Sequence, residues 1–254
     1  MSDVEVDAAA SGWATAVSRL ASTQAGGFSR RGSSDTWELV TGASIPLLDG
    51  VVSTAPSADP EEMAVFTRSS RLRGVDWSIQ IRDEFPDRAI ARIAAERGRS
   101  VQLSRDFVLK ALSGDEAVAP APVTARAWTV ADAEGAPVPS GGGRAHPPAA
   151  LLSMLATPSV LASPDVRAHV VEVDGEPVGT VLSVRVDDMV GIFDVAPSPS
   201  APRDGLRRAA TTAALSDAAH DGARVAFAHA APSNSLFYLD LGFRHVETWT
   251  VFRA

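Results

Sequence analysis

Two periods of hydrophobic spacing alternate along this chain, and the points where one gives way to the other mark its elements. Trp13, Val17 and Leu20 recur at helical spacing within residues 8–22, which predicts a helix with one apolar side. Residues 36–42 and 44–52 read as short strands, the second broken by Asp49-Gly50. Asp59 followed by Pro60 predicts a capped helix start over "DPEEMAVF", because the carboxylate can accept from first-turn amides and proline lacks an N–H there anyway. Val75, Trp77, Ile79 and Ile81 alternate as in a strand. Ile90, Ile93 and Ala94 form the inward side of a helix stopped at Gly98. "SVQLSRDFVLKAL" supplies one or two further strands.

Periodicity lapses over residues 113–122, "SGDEAVAPAP", which reads as a linker. A strand resumes in "VTARAWTV". The glycine-rich stretch "PSGGGR" reads as a flexible loop, with a helix through "AALLSMLA" after it. Residues 167–197 alternate as a meander, with turns at Asp174-Gly175 and Asp187-Asp188. A helix over 204–221, a strand "ARVAFAHA", a short helix "NSLFYLDLG" and a strand "HVETWTVF" complete the order β-β-β-α-β-α-β. The expected division is 1–112, a linker at 113–122, and 123–254. Similar runs of mixed elements in the two halves suggest a diverged duplication.

Composition narrows the chemistry. A chain of 254 residues with 45% hydrophobic content can bury a substantial core. Its net charge of -8 argues against non-specific nucleic-acid binding. With no cysteine, disulfides and thiolate chemistry are excluded. The acidic start lacks the pattern of a signal peptide, and no apolar run has membrane-spanning length. These features lead us to expect a cytoplasmic protein without membrane or nucleic-acid partners, acting as a monomer or homodimer. Lys110 is the sole lysine; arginine and alanine richness of this kind is a bias of high-GC, actinobacterial genomes. The histidines show no ligand spacing, so no metal is expected. "PSGGGR" is followed by no lysine and fails as a phosphate loop.

Two stretches carry a resemblance. "VAPSPSAPRDGLRRA" has a strand end, a proline and a glycine opening a helix; "HAAPSNSLFYLDLGFR" ends in a motif of the Leu-Tyr-x-x-Leu-Gly-Phe kind, matched at Phe237–Phe243. Over residues 165–254 the chain thereby resembles the GNAT superfamily of acyl-CoA-dependent N-acyltransferases. The first half is similar to the N-terminal half of tandem GNAT proteins through "VTGASIPLLDGVV" and "WSIQIR". The fold class implied is α/β with an α+β mixed sheet: a GNAT-type fold in the C-terminal half and a diverged copy before it.

The resemblance implies acetyl-CoA, or another acyl-CoA, as cofactor and a small-molecule amine as partner. The diphosphate would rest on a helix mouth, where unpaired amides and the helix dipole favour anions. Arg203, Gly205, Leu206, Arg207 and Arg208 would form that mouth. Val195 and Ala196 would pair with the pantetheine arm and stabilise the oxyanion, and Asn234 and Ser235 would touch the arm or act as plain helix caps. Gly205 matches the family's central glycine, whereas Pro202 and Arg207 stand where the family has Arg or Gln and Gly or Ala. Tyr238, the only tyrosine, falls at the family's general acid; a phenol with a pKa of about 10 donates at neutral pH. Asp194 and His229 are the candidate bases, with His169 and Glu172 behind them. Two alternatives stay open: a non-catalytic binding protein on the same fold, or a decarboxylase or hydrolase of acyl thioesters.

Overall fold

The computed structural model describes residues 2–43, 45–113, 124–129, 157–173, 176–195 and 203–254. In chain order these form α1 (Asp3–Thr23), β1 (Phe28–Arg31), β2 (Thr36–Val40), β3 (Gly50–Ser53), α2 (Pro60–Phe66), β4 (Ser78–Ile81), α3 (Arg88–Glu96), β5 (Val101–Ala111) and β6 (Thr124–Trp128). There follow α4 (Pro158–Leu161), β7 (Val166–Val173), β8 (Glu176–Val186), β9 (Met189–Val195), α5 (Arg203–His220), β10 (Val225–Ala230), α6 (Ser235–Asp240) and β11 (Arg244–Arg253). They segregate into two compact units, one of residues 1–109 with 227–254, the other of residues 110–226. The division expected from the sequence follows chain order; these units do not, since residues 227–254 pack with the first hundred. The expected Asp174-Gly175 turn, glycine-rich loop and helix over "AALLSMLA" lie outside the described residues.

In the first unit the strand order is β1-β2-β3-β4-β11-β5-β10. β3 and β4 run parallel; β11 is antiparallel to both β4 and β5, between which it lies. All four residues of β4 are buried, as a strand covered on both faces requires. One face packs Val40, Val51, Ile79 and Ile81 against Met63 and Phe66 of α2 and Ile90 and Ile93 of α3. Each such side chain contributes about 1.5–3 kcal/mol when fully buried. Over the other face, α1 presents Trp13, Val17, Leu20 and several buried alanines, small enough for close approach. Trp13 meets Trp249 and His229 edge-on, and Trp249 stacks on Phe107 at 5.2 Å. On the same side Arg82 links three elements: its Nε and Nη2 donate to Glu247 at 2.8 and 2.9 Å, and it pairs with Asp7 of α1 at 2.8 Å.

One expected strand is corrected. Residues 45–49 form a turn, with the amides of Leu48 and Asp49 both donating to Ile45 O, so β3 starts only at Gly50. The cause is the buried Asp49 carboxylate, which accepts from the amides of Thr41 and Ile45 and from the Thr41 hydroxyl. Such local bonds compete with a strand ladder. Gly50 then sits at φ +137°, where a Cβ would collide with Ser78 O.

The second unit is an antiparallel meander, β9-β8-β7-β6, closed at Asp187-Asp188 with Asp187 at φ +53°. α5 packs on β7 and β8 through Leu206, Ala209, Ala210, Ala214 and Leu215. Buried His169 of β7 holds Asp217 of α5 at 2.8 Å, and Arg167 holds Asp221 at 2.5 Å. Among the described residues no helix is long and apolar enough to cross a membrane.

Candidate functional site

The second unit supplies a helix mouth. In the first turn of α5, the amides of Arg203, Asp204 and Gly205 have no carbonyl one turn back within the helix. Gly205 is exposed, and a Cβ added there would meet nothing within 4 Å among the described residues. Glycine inside a helix costs about 1 kcal/mol relative to alanine, and no contact within the described structure requires it. Arg208 is exposed and Arg207 half-buried on the same turn. Leu206, at 3% exposure, points into the core, so only its backbone is available to a ligand. Asp194 and Val195 end β9, opposite Val181 and Thr180 of β8. Their side chains, that of Arg203, and all of Ala196 and Pro202 lie outside the described residues.

A helix mouth in the first half, at α2, is closed by its own residues. α2 also follows a strand, but Pro60 has no N–H, and the Asp59 carboxylate takes the amides of Glu61 and Glu62 at 2.8 and 3.3 Å. Glu61 and Glu62 add negative charge to the same turn. A diphosphate would find no free donors and a repelling field. The side chain of Glu62 is committed in turn to the β1–β2 connection, accepting from the amides of Ser33, Ser34 and Thr36. Burial pushes its pKa up, but these hydrogen bonds outweigh that and hold it below the ordinary 4.5.

The first unit carries the remaining candidates. Tyr238 is 3% exposed on α6, its ring edge-on to Phe237 and Phe243. Asn234 occupies the cap position of α6, but its side chain makes no cap hydrogen bond, which corrects the plain-cap reading for it. Ser235 donates its hydroxyl to Asp106 of β5, and Asp106 also faces His245 at 3.7 Å; Ser235 is thus held by the protein itself. His229 lies among Trp13, Phe107 and Trp249, with ring centroids at 5.5, 6.3 and 4.8 Å. Burial, reinforced by the Arg105 charge, holds its pKa well below the usual 6.5. Protonation would place a second cation beside Arg105 in an aromatic surround, so His229 is a poor proton acceptor. His169 spends its Nε2 on Asp217.

Sequence reasoning missed Arg105. Its Nη2 donates to the His229 carbonyl at 2.9 Å, while its Nε is buried with no partner among the described residues. A signal was present: Val101, Leu103, Phe107 and Leu109 share one phase of β5, and Arg105 is the single charge on that phase.

No protein-family model and no curated protein matches the chain. Solved structures do. A GCN5-related N-acetyltransferase from Kribbella flavida superposes with a TM-score of 0.61 at 20% identity, covering 96% of this chain and 95% of its own. A GCN5-related N-acetyltransferase-like protein from Streptococcus suis gives 0.56 at 11% identity, covering 89% and 88%. A tandem GNAT protein from the clavulanic acid biosynthesis pathway gives 0.50 at 14%, covering 86% and 82%. The chain therefore has the fold of the GNAT superfamily, a mixed α+β architecture.

Proposed function

We propose that the chain is an N-acyltransferase of GNAT type, transferring an acetyl or other acyl group from acyl-CoA to the amine of a small molecule. The observation that carries this reading is the mouth of α5, where bare backbone at Gly205 coincides with amides that have no partner within the helix and with flanking arginines. A long helix bearing an exposed glycine in its first turn is suited to an anion that must approach the main chain. That chemistry fits a diphosphate. The amides of Arg203, Asp204 and Gly205 would hold it, with Arg207 and Arg208 adding charge. The fold supports the same reading, and the tandem relative supports two diverged copies, the first with its mouth shut by Asp59.

When bound, acyl-CoA supplies an activated carbonyl. Asp194 would take the ammonium proton of the acceptor, directly or through a water, because His229 is ill-suited to do so. The amides near Val195 and Ala196 would stabilise the oxyanion, and Tyr238 would donate its proton to the leaving sulfur. Calorimetric titration with acetyl-CoA tests the reading, and a flat titration at millimolar cofactor would sink it. The packing of Tyr238 favours a second reading in one respect: Phe237 and Phe243 account for the ring without catalysis. A non-catalytic acyl-CoA binder would bind acetyl-CoA but form no acylated product with any amine.

A further inference from the structure

Buried charge is expensive unless it is paired, and the structure contains a buried cation that forms no ion pair among the described residues. Arg105 makes one hydrogen bond, to a main-chain carbonyl, and its Nε is buried without a partner among the described residues. Its strand phase faces Trp249, directly opposite on β11, and shares that side with Phe107. Glu247, on the same phase of β11, is already committed: both its oxygens accept from Arg82, and Oε1 also accepts from the Trp249 indole. Asp106 sits on the opposite phase, bound by Ser235; it and Tyr238 act on Arg105 electrostatically without outweighing the cost of its burial. The imidazole beside Arg105 offers no charge either, and its Nε2 is the second buried polar atom there lacking a partner among the described residues. Two unsatisfied nitrogens, one cationic and one neutral, thus stand together against aromatic rings.

We propose that Arg105, with His229 beside it, receives the carboxylate of a ligand, so that the acceptor of the acyl transfer is an amine that also bears a carboxylate. The amine half of that statement rests on the acyltransferase reading; the carboxylate half does not. A monoanion is the fitting size of charge. One guanidinium beside a neutral imidazole and aromatic rings neutralises a single negative charge, whereas a phosphate dianion would keep an excess unpaired. The planar fork of arginine also matches the two oxygens of a carboxylate.

The test uses the full chain and a panel of N-acetyl-amino acids, each beside its own carboxamide, with binding followed by tryptophan fluorescence. At least one acid should bind roughly tenfold or more tightly than its amide. Arg105→Met should abolish the difference, and Arg105→Lys should restore part of it. The free protein should also melt higher as Arg105→Met than as wild type, because a buried charge without an ion pair has been removed; a merely structural arginine would give the opposite sign. Acids and amides binding alike, no acid binding at millimolar concentration, or unchanged acid binding in Arg105→Met would each overturn the proposal. Acetyl-CoA titration of the same samples keeps the two ideas apart. Acids that bind through Arg105 while acetyl-CoA does not would overturn the acyltransferase and leave the carboxylate site standing.

Discussion

Gly205 and Tyr238 are residues whose roles are separable by substitution. Alanine at 205 meets nothing within 4 Å among the described residues, so Gly205→Ala should raise helix stability by roughly 0.5–1 kcal/mol and the melting temperature by about 1–4 °C. If the bare backbone serves a ligand, the same change should weaken acetyl-CoA binding severalfold by calorimetry. A more stable protein with unaltered affinity would remove Gly205 from the site. Tyr238→Phe keeps the ring that packs on Phe243 and deletes only the hydroxyl. It should lower kcat about a hundredfold or more while the acetyl-CoA Kd stays put; equal turnover would exclude the phenol from proton transfer. Both residues were legible in the sequence because a local motif places them. Arg105 was less so: its phase on β5 was visible, but its lack of an ion pair among the described residues depends on Glu247, Arg82 and His229, which approach from distant parts of the chain.

At the scale of elements, α2 shows how a helix mouth can be shut by its first turn. Asp59-Pro60 announced the closed state, since a cap and its amides are neighbours in sequence. Less visible was Glu62, whose acceptors lie on the β1–β2 connection some thirty residues away. Glu62→Gln should destabilise the protein by roughly 1 kcal/mol near neutral pH, measured by urea unfolding. The sign with pH follows from linkage. The carboxylate's folded-state pKa is held below 4.5, so its stabilisation is full above that value and fades as pH falls through the lower folded pKa. The gap between wild type and Glu62→Gln should narrow in acid; a gap constant to pH 3 would mean that charge plays no part. Asp49 illustrates the converse difficulty. Its apolar neighbours predicted a strand over 44–52, but a carboxylate buried among three donors turned half of it into a loop.

For the molecule as a whole, strand order matters more than chain order. Periodicity located α1, α3, β7 to β9, α5 and β11 with ends displaced by a few residues. It could not reveal that β11 lies between β4 and β5, because pairing partners across more than a hundred residues leave no periodic trace. The consequence is testable by dissection. A fragment of residues 1–112 contains β4 and β5 but lacks the strand between them, together with Trp249 and His229 of the aromatic layer. It should show no cooperative thermal transition by circular dichroism, and a sharp transition would contradict the strand order.

The late arrival of β11 also bears on how the protein is made. Chains commonly fold from the N-terminus as they leave the ribosome. Here the opening hundred residues must wait, apolar strands uncovered, until translation has delivered residues 244–253 to the vacant slot. A nascent-chain intermediate of this protein should accordingly be a substrate for chaperones until residues 244–253 have emerged.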